Sequence, residues 1–193
     1  LFRSYSKELT LDNHKVEIKA DGALHAESIL GANTATPLIQ LAAGNSTQAP
    51  ATLATKSTDV KANVGIFVEG SAKTKPATWQ YFGIPFSIPS TPAFYNAWVC
   101  EWSEPQGNWT YKRVGEQLYP WTGYCITQPE ETETYGYAID GTIQTGDHTY
   151  ELSFTKGANY EGDNIVTNSY TAPIDITKLK ETDFVNTEHA IYI

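Results

Sequence analysis

The sequence predicts an all-β protein: an antiparallel β-sandwich of jelly-roll type, preceded by a short β segment that reads as a few solenoid rungs or as a meander. Three observations carry this. Apolar residues alternate with polar ones in short runs separated by turn residues. Prolines at 85, 89, 92 and 105 each remove a backbone donor and exclude a helix interior. All five tryptophans, both cysteines and 13 of the 24 aromatic residues lie between Trp79 and Thr127, which concentrates the largest core-forming groups in one stretch.

Residues 1–75 contain only Phe2, Tyr5 and Phe67 as aromatics and are otherwise rich in Ala, Thr, Ser, Gly and short aliphatics. Val16, Ile18 and Ala20 alternate with Glu17 and Lys19, Asp21-Gly22 supplies a turn, and Leu24 and Ala26 resume the alternation, as in a hairpin. Short strands follow at Leu38–Leu41 and Val64–Val68. The change in composition near Lys73–Pro76 divides the chain into a small-residue unit, 1–75, and an aromatic unit, 76–193. No repeat period is legible in the first unit, so rungs and meander both stand.

In the aromatic unit, a strand at Trp79–Phe82 breaks at Gly83-Ile84-Pro85. Ala97–Trp102 reads as a strand with Trp98, Cys100 and Trp102 on one face and Val99 on the other. Ser103–Asn108 is a loop and Trp109–Lys112 the return, so the pair forms a hairpin. The next strand ends at Thr127, and the acidic run Glu130, Glu131 and Glu133 reads as a solvated loop. A second hairpin is expected from Tyr135–Ile139 through Thr145-Gly146-Asp147 to Tyr150–Phe154. A short strand at Asn164–Val166, an irregular Pro173–Phe184 with one helical turn, and a strand at His189–Ile193 complete the chain. A chain that starts without Met or a signal pattern and stops inside a strand reads as an excised piece of a longer polypeptide.

The net charge of −9, with 22 acidic against 13 basic residues and no basic cluster, argues against nucleic acid and anionic lipid surfaces as partners. No apolar run is long enough for a membrane span. His14, His25, His148 and His189 are scattered, and no hydrolase, zinc or nucleophile motif is present, so no catalytic residue, metal site or cofactor is expected. Glu101, Glu104 and Glu116 lie among aromatics, where glycoside hydrolysis would need two carboxylates at a set separation; three ordinary surface acids explain the same letters. Trp102, Trp109 and Tyr111 flank the Ser103–Asn108 loop and are the candidate ligand platform, with cross-strand packing as the competing explanation. Cys100 and Cys125 each sit in an apolar strand, and a disulfide and two buried free thiols are both open. Asn45-Ser46-Thr47 and Asn108-Trp109-Thr110 match the N-glycosylation acceptor pattern, which means nothing if the source is bacterial, as the resemblance given next implies.

Several spaced elements resemble the β-rich extracellular modules of Bacteroidota surface and secreted proteins. They are the Trp79–Pro85 element, Ala97–Trp102, the Pro-Trp-x-Gly-Tyr strand Pro120–Tyr124, Thr145-Gly146-Asp147, Asn164–Tyr170 and Ile174-Asp175-Ile176. Thr167 and Ser169 depart from the Gly and Pro expected of that group. The resemblance implies export and an extracellular, outer-membrane-associated location. It implies a non-enzymatic structural or adhesive module whose partners are other surface proteins or subunits of one assembly. The alternative is a carbohydrate-binding module that takes glycans on exposed aromatic rings. The terminal strands 5–11 and 189–193 are candidates for completing a neighbour's sheet.

Overall fold

A computed structural model describes residues 3–70, 78–128, 134–188 and 190–191. The described chain is all-β, with a single α-helical turn at Ser90–Ala93 and short 3-10 turns at Glu104–Gln106, Ile176–Lys178 and Glu181–Asp183.

The first six strands alternate between two facing sheets. β1 (Arg3–Thr10), β3 (Ala23–Leu30) and β5 (Thr52–Thr55) stack in parallel as one. β2 (Val16–Ile18), β4 (Ile39–Leu41) and β6 (Lys61–Glu69) stack in parallel as the other. This is a three-rung solenoid. Val16, Ile39 and Ala62 form one ladder and Ile18, Leu41 and Val64 the next, and with Ala26, Ile29 and Leu53 from the opposite sheet they close an aliphatic core. The small side chains noted in the sequence have a physical reason: a Cβ on Gly65 would lie 2.4 Å from the Ala43 nitrogen, so rung and corner approach backbone to backbone.

The hairpin expected across Asp21-Gly22 is not formed. β2 and β3 are both strands, but they belong to opposite sheets, so their apolar residues meet across a core instead of side by side. Asp21 instead marks a corner: at φ 62 its N–H donates to Ala49 O (2.9 Å) and its carboxylate accepts from Ala49 N (2.9 Å) in the next rung. The repeat was illegible because the rungs are unequal. Partners step by 23 residues in one sheet (16 to 39 to 62) but by 20 and then 29 in the other (3 to 23 to 52).

β6 carries the chain from this core into a second one. β13 (Thr134–Thr142) pairs antiparallel along its whole length, and while Ala62 and Ile143 sit in the solenoid core, Val68, Tyr137 and Ile139 sit in the second. Facing this ribbon is an antiparallel sheet in the order β10 (Asn108–Tyr111), β9 (Trp98–Ser103), β12 (Tyr124–Thr127), β7 (Gln80–Phe82). Val99, Tyr124 and Ile126 from its inner face meet Ile84, Phe86, Phe94 and Leu118 in a sandwich-like core. The small pair β8 (Ile88–Pro89) and β11 (Gln117–Leu118) closes one side.

Of the strand expected at Pro120–Thr127 only Tyr124–Thr127 forms, Pro120-Trp121 being a turn. The β9–β10 hairpin matches expectation. The second expected hairpin does not: β13 forms, but residues 143–155 contain no return strand. That segment runs to the tip of the β9–β10 hairpin, where Thr155 donates to Glu104 from its amide and its hydroxyl, both at 2.8 Å. The Asn164–Val166 strand shrinks to one bridge, Thr122 to Val166. Glu130, Glu131 and Glu133 and most of the last expected strand, including His189, lie outside the described residues.

Candidate functional site

Directly opposed residues of antiparallel strands share a face, so register decides which side chains the outer surface of the four-stranded sheet presents. One row runs Tyr81, Cys125, Cys100, Tyr111 across all four strands. The rows beside it hold Trp102 opposite Trp109, and Trp98 opposite Thr127. The predicted platform residues Trp102, Trp109 and Tyr111 are thus brought onto one face. Trp98, expected on the same face as Trp102, extends it; Trp79 and Tyr81 extend it too and were missed, because β7 becomes a neighbour only through β12, forty residues along the chain.

Exposure is uneven over this face. Trp79 (42%), Trp98 (50%), Tyr111 (60%) and Tyr81 (75%) are open, whereas Trp102 and Trp109 are half-buried. Ring centroids lie 5.8 Å apart for Tyr81 and Trp109, 5.5 Å for Trp109 and Trp102, and 6.0 Å for Trp102 and Tyr160. The interplanar angles of 38°, 65° and 63° mean that these rings pack tilted or edge-on against one another, which is the geometry of mutual stabilisation. The Trp102 indole N–H donates to Asp163 O at 2.6 Å.

At one end, the segment from Gly157 to Tyr170 straps this sheet. A Cβ on Gly83 would collide with Thr167, on Gly107 with Asn159, and on Gly123 with Ile165. Three glycines therefore make the bed for one strap. Ser169, almost fully buried, accepts from the Trp121 amide (2.6 Å), and Trp121, held at φ 68, stacks on His148 with centroids 4.0 Å apart and planes 7° apart. Tyr170 meets Trp121 edge-on and donates from its hydroxyl to Gly146 O. Three of the motifs noted in sequence, around Trp121, Gly146 and Tyr170, converge here. Thr167 and Ser169, the two departures, are the side chains that seat on Gly83 and hold Trp121.

Glu101, Glu104 and Glu116 line one cleft of about 480 Å³ together with Lys112, Thr110, Ser153 and Asn164. Their engagements decide what they can do. Glu104 accepts from the Gly162 amide and twice from Thr155, and these hydrogen bonds, led by that from Gly162, hold its carboxyl below the usual range against the opposing effect of burial. Glu101 pairs with Lys112 at 2.8 Å; burial alone would lower the lysine, but the hydrogen bond and charge of Glu101 outweigh it and hold it above its ordinary value. Glu116 caps the Arg113 amide. A glycosidase acid needs a raised carboxyl; Glu104 is shifted the other way. The Asn45 side chain accepts from the Thr47 and Gln48 amides in a turn, and that of Asn108 from the adjacent Trp109 amide at the start of β10.

Fold and site together define an all-β module, part solenoid and part aromatic-faced sandwich. Over 107 residues the chain is 35% identical to the minor fimbrium subunit Mfa5 of Porphyromonas gingivalis, a match covering 51% of this chain and 9% of that subunit. The chain thus spans only a small part of that subunit's length. No family model matches the chain, and no solved structure matches it.

Proposed function

We propose that the chain is a non-enzymatic structural or adhesive module of a larger surface assembly, with its partners among the other subunits of that assembly. The partial identity to a fimbrium subunit is the observation that carries this reading. Two features of the fold support it. Among the described residues β1 is an eight-residue edge strand paired only with β3, and the outer face of the aromatic sheet offers Trp79, Tyr81, Trp98 and Tyr111 to a partner. The boundary between the units 1–75 and 76–193 marks, in this proposal, the passage from aliphatic to aromatic core, with β13 returning to join them. Antibodies raised against the folded domain test the reading on intact cells of the source organism. Surface labelling, and co-purification with other surface subunits, is the expected result; labelling only after lysis would sink it.

The glycan reading draws on one observation, the open rings of Tyr81, Trp98 and Tyr111 beside the half-buried Trp102 and Trp109. A glycan array combined with acrylamide quenching decides it. Saturable binding that protects tryptophan from quenching favours a sugar platform, and quenchable tryptophans with no glycan signal leave the face to protein partners.

A further inference from the structure

We infer that Cys100 and Cys125 form an intramolecular disulfide when the chain folds under oxidising conditions, a covalent clamp between the two central strands of the aromatic sheet. The register places the two residues directly opposite one another on β9 and β12. Opposed residues of an antiparallel pair have Cα atoms about 4.5 to 5.5 Å apart, inside the roughly 4.4 to 6.8 Å that disulfides occupy. The Cα separation of such a pair is thus within bridging range, although both cysteines stand as free thiols in the structure.

Position adds a second argument. β9 is flanked by β10 and β12, and β12 by β9 and β7, so both sulfurs lie in the interior of the sheet. Tyr81 stands beside Cys125 and Tyr111 beside Cys100 in the same row, and the cysteines are 6% and 3% exposed beneath the aromatic face. Among the described residues no group of three His, Cys, Asp or Glu is gathered that would make the pair a metal site.

In the thiol form burial, with the neighbouring Cys100, pushes Cys125 up to about 12, and burial raises Cys100 against the opposing effect of Cys125. Thiolate is the reactive species in exchange, so the folded, reduced pair is nearly inert at neutral pH. The bond forms while the sheet is still open. Two thiols lose their protons and become one S–S bond, and the two electrons pass to a disulfide oxidant, oxidised glutathione or an oxidoreductase, which leaves as two thiols.

The test uses the purified chain, so its outcome is independent of where the protein resides. The chain is unfolded in guanidinium and refolded in a glutathione redox buffer or in reductant, then quenched with acid, unfolded again, alkylated and weighed. Oxidative refolding should give a monomer with no alkylated cysteine and a peptide map linking Cys100 to Cys125; reductive refolding should give two alkyl groups. Native reduced protein exposed to oxidised glutathione should convert at least about tenfold more slowly than the unfolding chain does. Two alkylatable thiols after oxidative refolding, or a disulfide-linked dimer, would overturn the inference. The double variant C100A/C125A provides a second measure: the reductant-dependent fall in Tm expected of the parent should vanish in it, and a parent whose Tm ignores reductant would also overturn the inference.

Discussion

The side-chain oxygen of Ser169 accepts a hydrogen bond from the backbone N–H of Trp121 at 2.6 Å, joining residues 48 positions apart. Trp121 holds a backbone conformation that bulky residues seldom adopt, at φ 68, and its ring is sandwiched by contacts with His148 and Tyr170. The bond and the stack hold the strap in place over the sheet.

Ser169→Ala leaves a Trp121 amide without its partner in a buried setting, and urea unfolding should show a loss of about 1 to 3 kcal/mol. An unchanged midpoint would mean that water or a shifted strap replaces the hydroxyl.

Gly83→Ala introduces a Cβ 2.0 Å from Thr167 Oγ1 and should cost about 1 to 3 kcal/mol by overpacking. Thr167→Gly removes the colliding atoms. The double variant should therefore recover part of the loss, and strictly additive effects in a double-mutant cycle would show that the strap does not rest on Gly83.

Glu104 carries a pH signature. Its carboxyl is lower in the folded protein than the roughly 4.3 of an unfolded glutamate. Its stabilisation is therefore fully present above that value and is lost as pH falls through the folded value. Glu104→Gln should lower the urea midpoint at pH 7, and the gap between variant and parent should narrow on acidification below about pH 5. A gap that is constant with pH would assign the effect to packing alone.

The solenoid makes a simple contrast within one strand. Ile39 is fully buried in the ladder between Val16 and Ala62, while Gln40 faces solvent. Ile39→Ala should cost about 2 to 5 kcal/mol, and Gln40→Ala should stay within about 0.5 kcal/mol. Similar effects at both positions, followed by chemical unfolding, would contradict a core enclosed by parallel rungs.

What the sequence determined by itself is local. Period-2 alternation placed Val99 and the Trp98, Cys100, Trp102 set on opposite faces, and the structure buries Val99 among Tyr124 and Ile126 while opening Trp98 outward. Turn residues located the β9–β10 hairpin, whereas the prolines did not exclude helical turns: Pro92 lies within the α-helical turn Ser90–Ala93 and Pro105 within the 3-10 turn Glu104–Gln106, positions early enough in a turn that no backbone donor is needed. Pairing over distance was decided only by tertiary structure. The same Val16–Ala26 letters fit a hairpin or two facing sheets, because alternation reports which side of a strand is apolar and not which strand lies beside it. The return strand expected at Tyr150–Phe154 was lost to contacts with Glu104 and the strap, groups far away in the chain. The aromatic face and the opposed cysteines arise likewise from register between β7, β9, β10 and β12, a relation among strands that no window along the chain contains.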